Sequence, residues 1–287
     1  MRLRSTLVVP GNRPDRIARA AGYNPDALSL DLEDSVPPAE HDAARGHIAR
    51  YLDARPSLPV FVRPVSVGRP EFDADLEAIV RPGLTGLVLP QVEGPDEVRA
   101  VDERLRELEA DRGLASGSVV LLPAAESAAA VRCLFDIVTA SPRVLGTNFN
   151  GADGGDLCGD LGVIWTRGGD ELLYVRSEVL LTARAAGLEV ILDSVYADLE
   201  DDDGFAQDTE FGRRLGYTGR TAIHPRQLAT INRVHTPTET EIESARELLA
   251  AFGEAEQAGI GAIRHRGKLV DYAMVRRAKR LLEQVRS

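Results

Sequence analysis

Eight short runs rich in Val, Ile and Leu recur through the first 235 residues: STLVVPG, DALSLDLED, PVFVRPV, TGLVLPQVE, SVVLLPAAE, RVLGTNFNG, LEVILDSV and GRTAIHP. Between most of them lie longer segments, such as PDRIARAA, PDEVRAVDERLRELEADR, SAAAVRCLFDIVTA and ELLYVRSEVLLTARAAG. There apolar residues return every three or four positions and charges fill the other face, the spacing of an amphipathic helix. Near-continuous apolar strands alternating with such helices imply parallel pairing with both sheet faces covered. Eight units of this kind predict a closed (β/α)8 TIM barrel. An open doubly wound sheet that binds a dinucleotide would need a G-x-G-x-x-G turn after its first strand, and VPGNRPDR offers a single glycine.

The chain changes character after the eighth run. Residues 1–235 suffice for the barrel, which leaves 236–287 as a C-terminal extension. Within it, TPTETEIESARELLAAF reads as a helix with a threonine-rich cap, GIGAIRHRGKLVDY as a hairpin turning at RG, and AMVRRAKRLLEQVR as a basic amphipathic helix. A unit the barrel does not need for closure is expected to pack on it or to lid a neighbouring subunit.

The formal net charge of -11, with arginines interspersed among acids, excludes nucleic acid as a natural partner. A few arginines in a cleft still suffice for a small anion. The apolar run TLVVP is too short for a signal-peptide core, and no stretch reaches the roughly 20 apolar residues that span a bilayer, so a cytoplasmic protein with no membrane partner is expected. Cys133 and Cys158 lack metal-ligand spacing and cannot make a disulfide framework; both are expected to be buried, inert thiols.

Chemistry in such barrels sits at the carboxyl ends of the strands. The polar residues there are Glu33 and Asp34 after the second run, Arg63 at the third, Gln91 and Glu93 at the fourth and Glu126 at the fifth. Asn148, Asn150, Asp153 and Asp156 follow the sixth run, with Asp193 at the seventh and His224 at the eighth. Several acids around one mouth repel each other unless a cation neutralises them, and an oxygen-rich, Cys-free set suits Mg2+ or Mn2+ over Zn2+. The competing reading is that single acids cap the following helices, as Glu126 before SAAAV could. His224, just before Pro225, reads as part of a rigid turn.

The motifs RSTLVVPGNRPDRI, DLEDSVPPAEHDAAR, FVRP, LPQVE, AAESAAAV, DLCGDLG, LLYVRSEVLLTARAAGL, GYTGRTAIHPRQLATIN and GKLVDYAMVRRAKRLL occur in an order and spacing similar to those of the citrate lyase β-subunit-like family. That family belongs to the HpcH/HpaI aldolase superfamily, with the malyl-CoA and citramalyl-CoA lyases. The resemblance covers nearly the whole chain and implies a TIM barrel with Mg2+ held by Glu126 and Asp156, Asp153 being a nearby competitor. It implies that Glu33 and Asp34 lie around the metal and its waters. Arg63 falls on an arginine that in relatives contacts the substrate carbonyl or carboxylate, the competing reading being a salt bridge to a rim acid. Asp271 falls on an aspartate that in relatives reaches a neighbouring subunit's site as acid/base; taken alone it reads as a helix N-cap. Arg13, Arg16 and Arg220 are candidate anchors for CoA phosphates or adenine, set against ordinary surface cations.

The implied reaction is cleavage of a 3-hydroxyacyl-CoA such as malyl-CoA or citramalyl-CoA into acetyl-CoA and a 2-oxo acid, or the reverse Claisen-type condensation, in a homotrimer or hexamer. Two alternatives use the same residues: an acyl-CoA thioesterase, and a non-catalytic subunit that binds an acyl carrier. Many relatives have Asn where this chain has Pro64 or Val65, and Lys where it has Gln91, while NFNGADGGDL carries extra acids and glycines. These departures fall at the substrate end and bear on the acyl group.

Overall fold

The computed structural model describes residues 1–286. Eight parallel strands, β1 (Ser5–Pro10), β2 (Ala27–Asp31), β3 (Val60–Arg63), β4 (Gly86–Leu89), β5 (Val120–Ala125), β6 (Gly146–Phe149), β7 (Val190–Asp193) and β8 (Gly219–Ala222), form a closed barrel in sequence order. β8 returns to β1 through the pairs Ser5–Arg220, Thr6–Thr221 and Leu7–Ala222. Helices α1 (Pro14–Ala20), α2 (His41–Asp53), α3 (Phe72–Ile79), α4 (Pro95–Asp111), α5 (Ala128–Thr139), α6 (Asp156–Leu161), α7 (Leu173–Ala185), α8 (Asp202–Leu215) and α9 (Pro225–Val234) occupy the connections. The expected (β/α)8 barrel is therefore the fold. Every residue of β2, β4 and β7 is buried, which is why apolar residues predominate on both faces of these strands.

Alternation along each strand sends successive side chains to opposite faces. Ala27, Phe61, Val88, Leu122, Val190 and Leu192 pack together in one cluster. Leu28, Leu30, Val62, Leu87, Leu89, Leu121 and Ile191, their neighbours of opposite parity, join the larger cluster that includes the helices. The first set fills the barrel interior, and Gly86 leaves room for it: a Cβ there would lie 2.9 Å from the Phe61 ring and 2.5 Å from the Val120 carbonyl oxygen. Counting by twos from Ala27 and Phe61 places Asp31 and Arg63 on the inward face at the top.

At the opposite, amino-terminal end lies a buried ion network. Arg143, just before β6, donates from Nε to Asp102 Oδ1 at 2.5 Å and from Nη2 to Glu109 Oε2 at 2.7 Å. Burial disfavours the Glu109 charge, but Arg143 and the backbone N–H groups of Gly117 and Val119 outweigh it and hold the carboxyl down at about 2. Cys158 is buried as expected, whereas Cys133 is exposed. The inward stripe of α5 runs through Ala130, Val131, Leu134, Ile137 and Val138, which turns Cys133 outward.

The chain divides by its internal contacts into Leu3–Arg233 and a second unit made of Met1–Arg2 and the residues from Val234 onward. The second unit holds α10 (Glu239–Gln257), the antiparallel pair β9 (Ala262–His265) and β10 (Lys268–Asp271), and α11 (Tyr272–Arg286). Thr238 and Glu241 form a reciprocal capping box at the start of α10. Arg266 and Gly267, at φ 45° and 79°, make the hairpin turn with two left-handed residues, as the RG pair predicts. Phe252, Val270 and Val275 form this unit's core.

Arg143→Ala strands two buried carboxylates, and breaking a buried pair in this way costs about 3–5 kcal/mol. Urea unfolding of the variant should show that loss; one below about 1 kcal/mol, the value of a surface pair, contradicts the reading.

Candidate active site

Asp31 and Arg63 are paired residues in the β2–β3 ladder. Arg63 donates from Nε to Asp31 Oδ1 at 2.6 Å and from Nη2 to Asp31 Oδ2 at 2.9 Å, a bidentate pair. Asp31 is fully buried and also accepts from the Glu33 N–H and from the N–H and hydroxyl of Ser35. Its pKa is lowered although burial pushes the other way, because the Arg63 hydrogen bonds and charge prevail. Arg63 Nη1 also donates to Asp34 Oδ2 at 3.1 Å. Burial disfavours the guanidinium charge, but Asp31, Glu33 and Asp34 together raise its pKa.

Glu33 is the least settled group of the cluster. Arg63 Nη1 stands 2.9 Å from its Oε2, yet this buried oxygen has no hydrogen-bond partner among the described residues, so the contact is one of charge without good direction. Burial is the main reason its carboxyl is pushed up to about 8; Arg63 opposes this, while Asp34, Glu126 and Asp31 reinforce it.

Across the mouth, Glu126 Oε1 accepts from the Gln91 backbone N–H at 2.6 Å and Oε2 accepts from Asn150 Nδ2 at 3.0 Å. Burial raises the Glu126 pKa against these hydrogen bonds, and the Asp156 charge adds to the rise. The side chain of Gln91 donates to Asp156 Oδ2 at 3.2 Å and accepts from the Ser66 hydroxyl at 2.6 Å. Ser127, not Glu126, caps α5, its hydroxyl accepting from the Ala130 N–H. Strand parity explains this: Glu126 continues the inward series Val120, Leu122, Ala124.

The structure thus brings Glu33, Asp34, Arg63, Glu126 and Asp156 together, with Asp31, Ser66, Gln91 and Asn150 as residues the sequence reading left out or gave no role. Asp153 is exposed, and its charge acts on Cys158. Asp193 points away from the mouth, where Arg176 of α7 donates to it from Nε at 3.0 Å. Arg220, the third candidate CoA anchor, is buried: it is 1% exposed and its guanidinium lies 2.6 Å from Asp208 of α8, away from the exposed surface that holds Arg13 and Arg16. Arg13 and Arg16 are exposed in the loop after β1 and at the start of α1; Arg13 pairs with Asp15, and Arg16 makes no ion pair among the described residues. Asp271, in the second unit, accepts from the Ala273 and Met274 N–H groups and caps α11. His224 Nδ1 accepts from the Arg226 N–H in the turn that opens α9.

Among the described residues, no group of three or more His, Cys, Asp or Glu side chains is arranged to ligate a metal unaided. Mg2+ characteristically takes one or two protein carboxylates and completes its shell with water and substrate oxygens. Glu126 and Asp156, one of them held at a raised pKa, together with an orphaned buried oxygen on Glu33, fit that requirement.

A (β/α)8 barrel with converging carboxylates and a partly buried arginine at its mouth defines an enzyme scaffold of the aldolase type. Residues 4–225 match the family HpcH/HpaI aldolase/citrate lyase, and the chain belongs to that family. It is 41% identical over 290 residues to the citrate lyase subunit beta-like protein of Deinococcus radiodurans, covering 98% of this chain and 96% of that one. It is 32% identical to the mitochondrial citramalyl-CoA lyase of Mus musculus, covering 97% of this chain and 85% of the relative. A crystal structure of CitE from Mycobacterium tuberculosis in complex with magnesium, acetoacetate and coenzyme A aligns with a TM-score of 0.79 at 27% identity, over 100% of this chain and 99% of the other. No helix among the described residues is long and apolar enough to cross a membrane.

A carboxyl raised in the folded state makes the metal-free fold most stable where it is protonated. The Glu33 contribution is present below its ordinary 4.5 and is lost as pH rises toward about 8. Thermal melts of the metal-free protein should fall relative to Glu33→Gln across that window; parallel curves would show that Glu33 ionises normally.

Proposed function

We propose that this chain is a divalent-metal-dependent carbon–carbon lyase, or the reverse Claisen-type synthase, acting on a 3-hydroxyacyl-CoA such as malyl-CoA or citramalyl-CoA. The observation that carries the reading is the meeting of Arg63 with the Glu126–Asp156 pair in one barrel mouth, in a chain whose relatives include citramalyl-CoA and L-malyl-CoA/beta-methylmalyl-CoA lyases. Glu126 and Asp156 would hold Mg2+ or Mn2+, which when bound supplies Lewis acidity and a chelating anchor for the oxo acid half.

The chain's own residues account for the remaining demands. In cleavage the acid/base, Asp271 of an adjacent subunit, takes the hydroxyl proton as the carbonyl of the 2-oxo acid forms, and the broken C–C bond's electron pair passes to the thioester carbonyl as an enolate. That oxygen needs a donor. Three of the five N–H groups of Arg63 donate to Asp31 and Asp34, which leaves a hydrogen on each terminal nitrogen for an oxygen in the mouth. Because Asp31 already fixes the guanidinium plane, little reorganisation is needed as charge develops. The enolate carbon must then gain a proton, the role assigned to Asp271 of an adjacent subunit in a homo-oligomer, a trimer or hexamer. Arg13 and Arg16 are the remaining candidates for CoA phosphates.

The deciding experiment is a screen of CoA thioesters with Mg2+, read by mass spectrometry. Acetyl-CoA plus glyoxylate or pyruvate supports the lyase; free CoA with the intact hydroxy acid identifies a thioesterase instead. Glu126→Ala and Asp156→Ala should each abolish turnover in a folded protein, and a fully active, metal-binding Asp156→Ala refutes the assignment.

Arg63→Lys keeps the charge but loses the planar fork. Turnover should drop roughly 100-fold or more, the scale for losing one oxyanion donor. Normal turnover would leave Arg63 a purely structural partner of Asp31.

Asp271→Ala subunits, inactive alone, should regain activity when exchanged with Glu126→Ala subunits. Some mouths then combine an intact carboxylate pair with an intact tail. No recovery after demonstrated exchange rules out a site shared between subunits.

A further inference from the structure

Gln91 is one of four non-glycine residues with positive φ among the described residues, at 51°. Of the others, Asn24 and Arg55 precede β2 and β3, at the amino-terminal end of the barrel, and Arg266 is in the hairpin turn of the second unit. The left-handed region is unfavourable for a glutamine, and such a conformation persists where the surroundings over-determine it. Here three hydrogen bonds do so. The backbone N–H reaches Glu126 Oε1 at 2.6 Å, the amide oxygen accepts from Ser66 Oγ at 2.6 Å, and the amide nitrogen donates to Asp156 Oδ2 at 3.2 Å. One residue therefore touches the carboxylates of the β5 and β6 loops while being anchored to the loop after β3.

We propose that Gln91 is a positioning residue for the Glu126–Asp156 pair: its left-handed backbone orients Glu126, and its amide, braced by Ser66, holds Asp156 across the mouth. This rests on the reading of those two carboxylates as the metal-holding pair. The chemistry suits the task. An amide donates to a carboxylate without a charge, so it fixes the oxygen's direction while leaving the negative charge available to a dication. An acid there would repel Asp156. Groups that orient metal-binding carboxylates in this manner characteristically set affinity by 10–100-fold when removed.

Gln91→Ala removes the span from Ser66 to Asp156 and leaves the bond from the backbone N–H to Glu126 as the one hold on the left-handed turn. Mn2+ binding to the purified protein, followed by calorimetry and by the paramagnetic resonance of free Mn2+, should weaken about 10–100-fold, while the melting temperature of the metal-free protein stays near wild type. Ser66→Ala, which removes the brace alone, should weaken binding less. The double variant should match Gln91→Ala, since the hydroxyl acts only through the amide. Wild-type Mn2+ affinity in Gln91→Ala overturns the proposal, as do fully additive losses in the double variant. A lower affinity that merely follows a lower melting temperature also overturns it, because the residue would then be structural. Glu126→Gln is the control. If it too binds Mn2+ normally, the metal assignment itself has failed; if it loses binding while Gln91→Ala does not, only the positioning role falls.

Discussion

A buried carboxylate and a partly buried guanidinium at the same height on neighbouring strands constrain the whole mouth of this barrel. Asp31 and Arg63 face each other in the β2–β3 ladder and point inward because they end series that begin with Ala27 and Phe61. Neither charge would be tolerable alone at that depth, and the two-point hydrogen bond makes the pair rigid. Other features hang from it. The loop after β2 is fastened to Asp31 by two N–H groups and a hydroxyl, which places Glu33 and Asp34 beside the arginine.

The mouth remains short of positive charge. Arg63 is closely satisfied by Asp31, yet Glu33 and Glu126 are both held above their usual pKa, chiefly by burial. Local stability has been given up there in a way typical of sites that await a charged ligand. The hydrogen bonds from Gln91 and Asn150 orient Glu126 without cancelling its charge, so the mouth keeps an appetite for a dication or for a substrate that brings one.

The fold was largely legible because buried strands and amphipathic helices leave different periods in the chain, and eight alternations admit few topologies. The rim was legible only in part. Asp193 ends an apolar run as visibly as Glu126 does and Arg220 sits inside one, but strand parity turns both outward, where Arg176 and Asp208 receive them. Parity can be counted from a sequence once the first inward residue of each strand is known, and that is what the apolar runs conceal, since both faces are buried. Asp31 went without a role because a charge inside an apolar run needs a partner on another strand to make sense of it. Gln91 was hidden more deeply. Its importance lies in a backbone conformation that no residue type at that position advertises.

The network of Arg143, Asp102 and Glu109 ties α4 to the segment before β6 at the end remote from this mouth. The two charge systems share no residue and rest on opposite ends of the same strands. A substitution at the rim therefore leaves the ion pairs of the base intact, so changes in the mouth loops and changes at the base act on separate properties of one fold and combine additively.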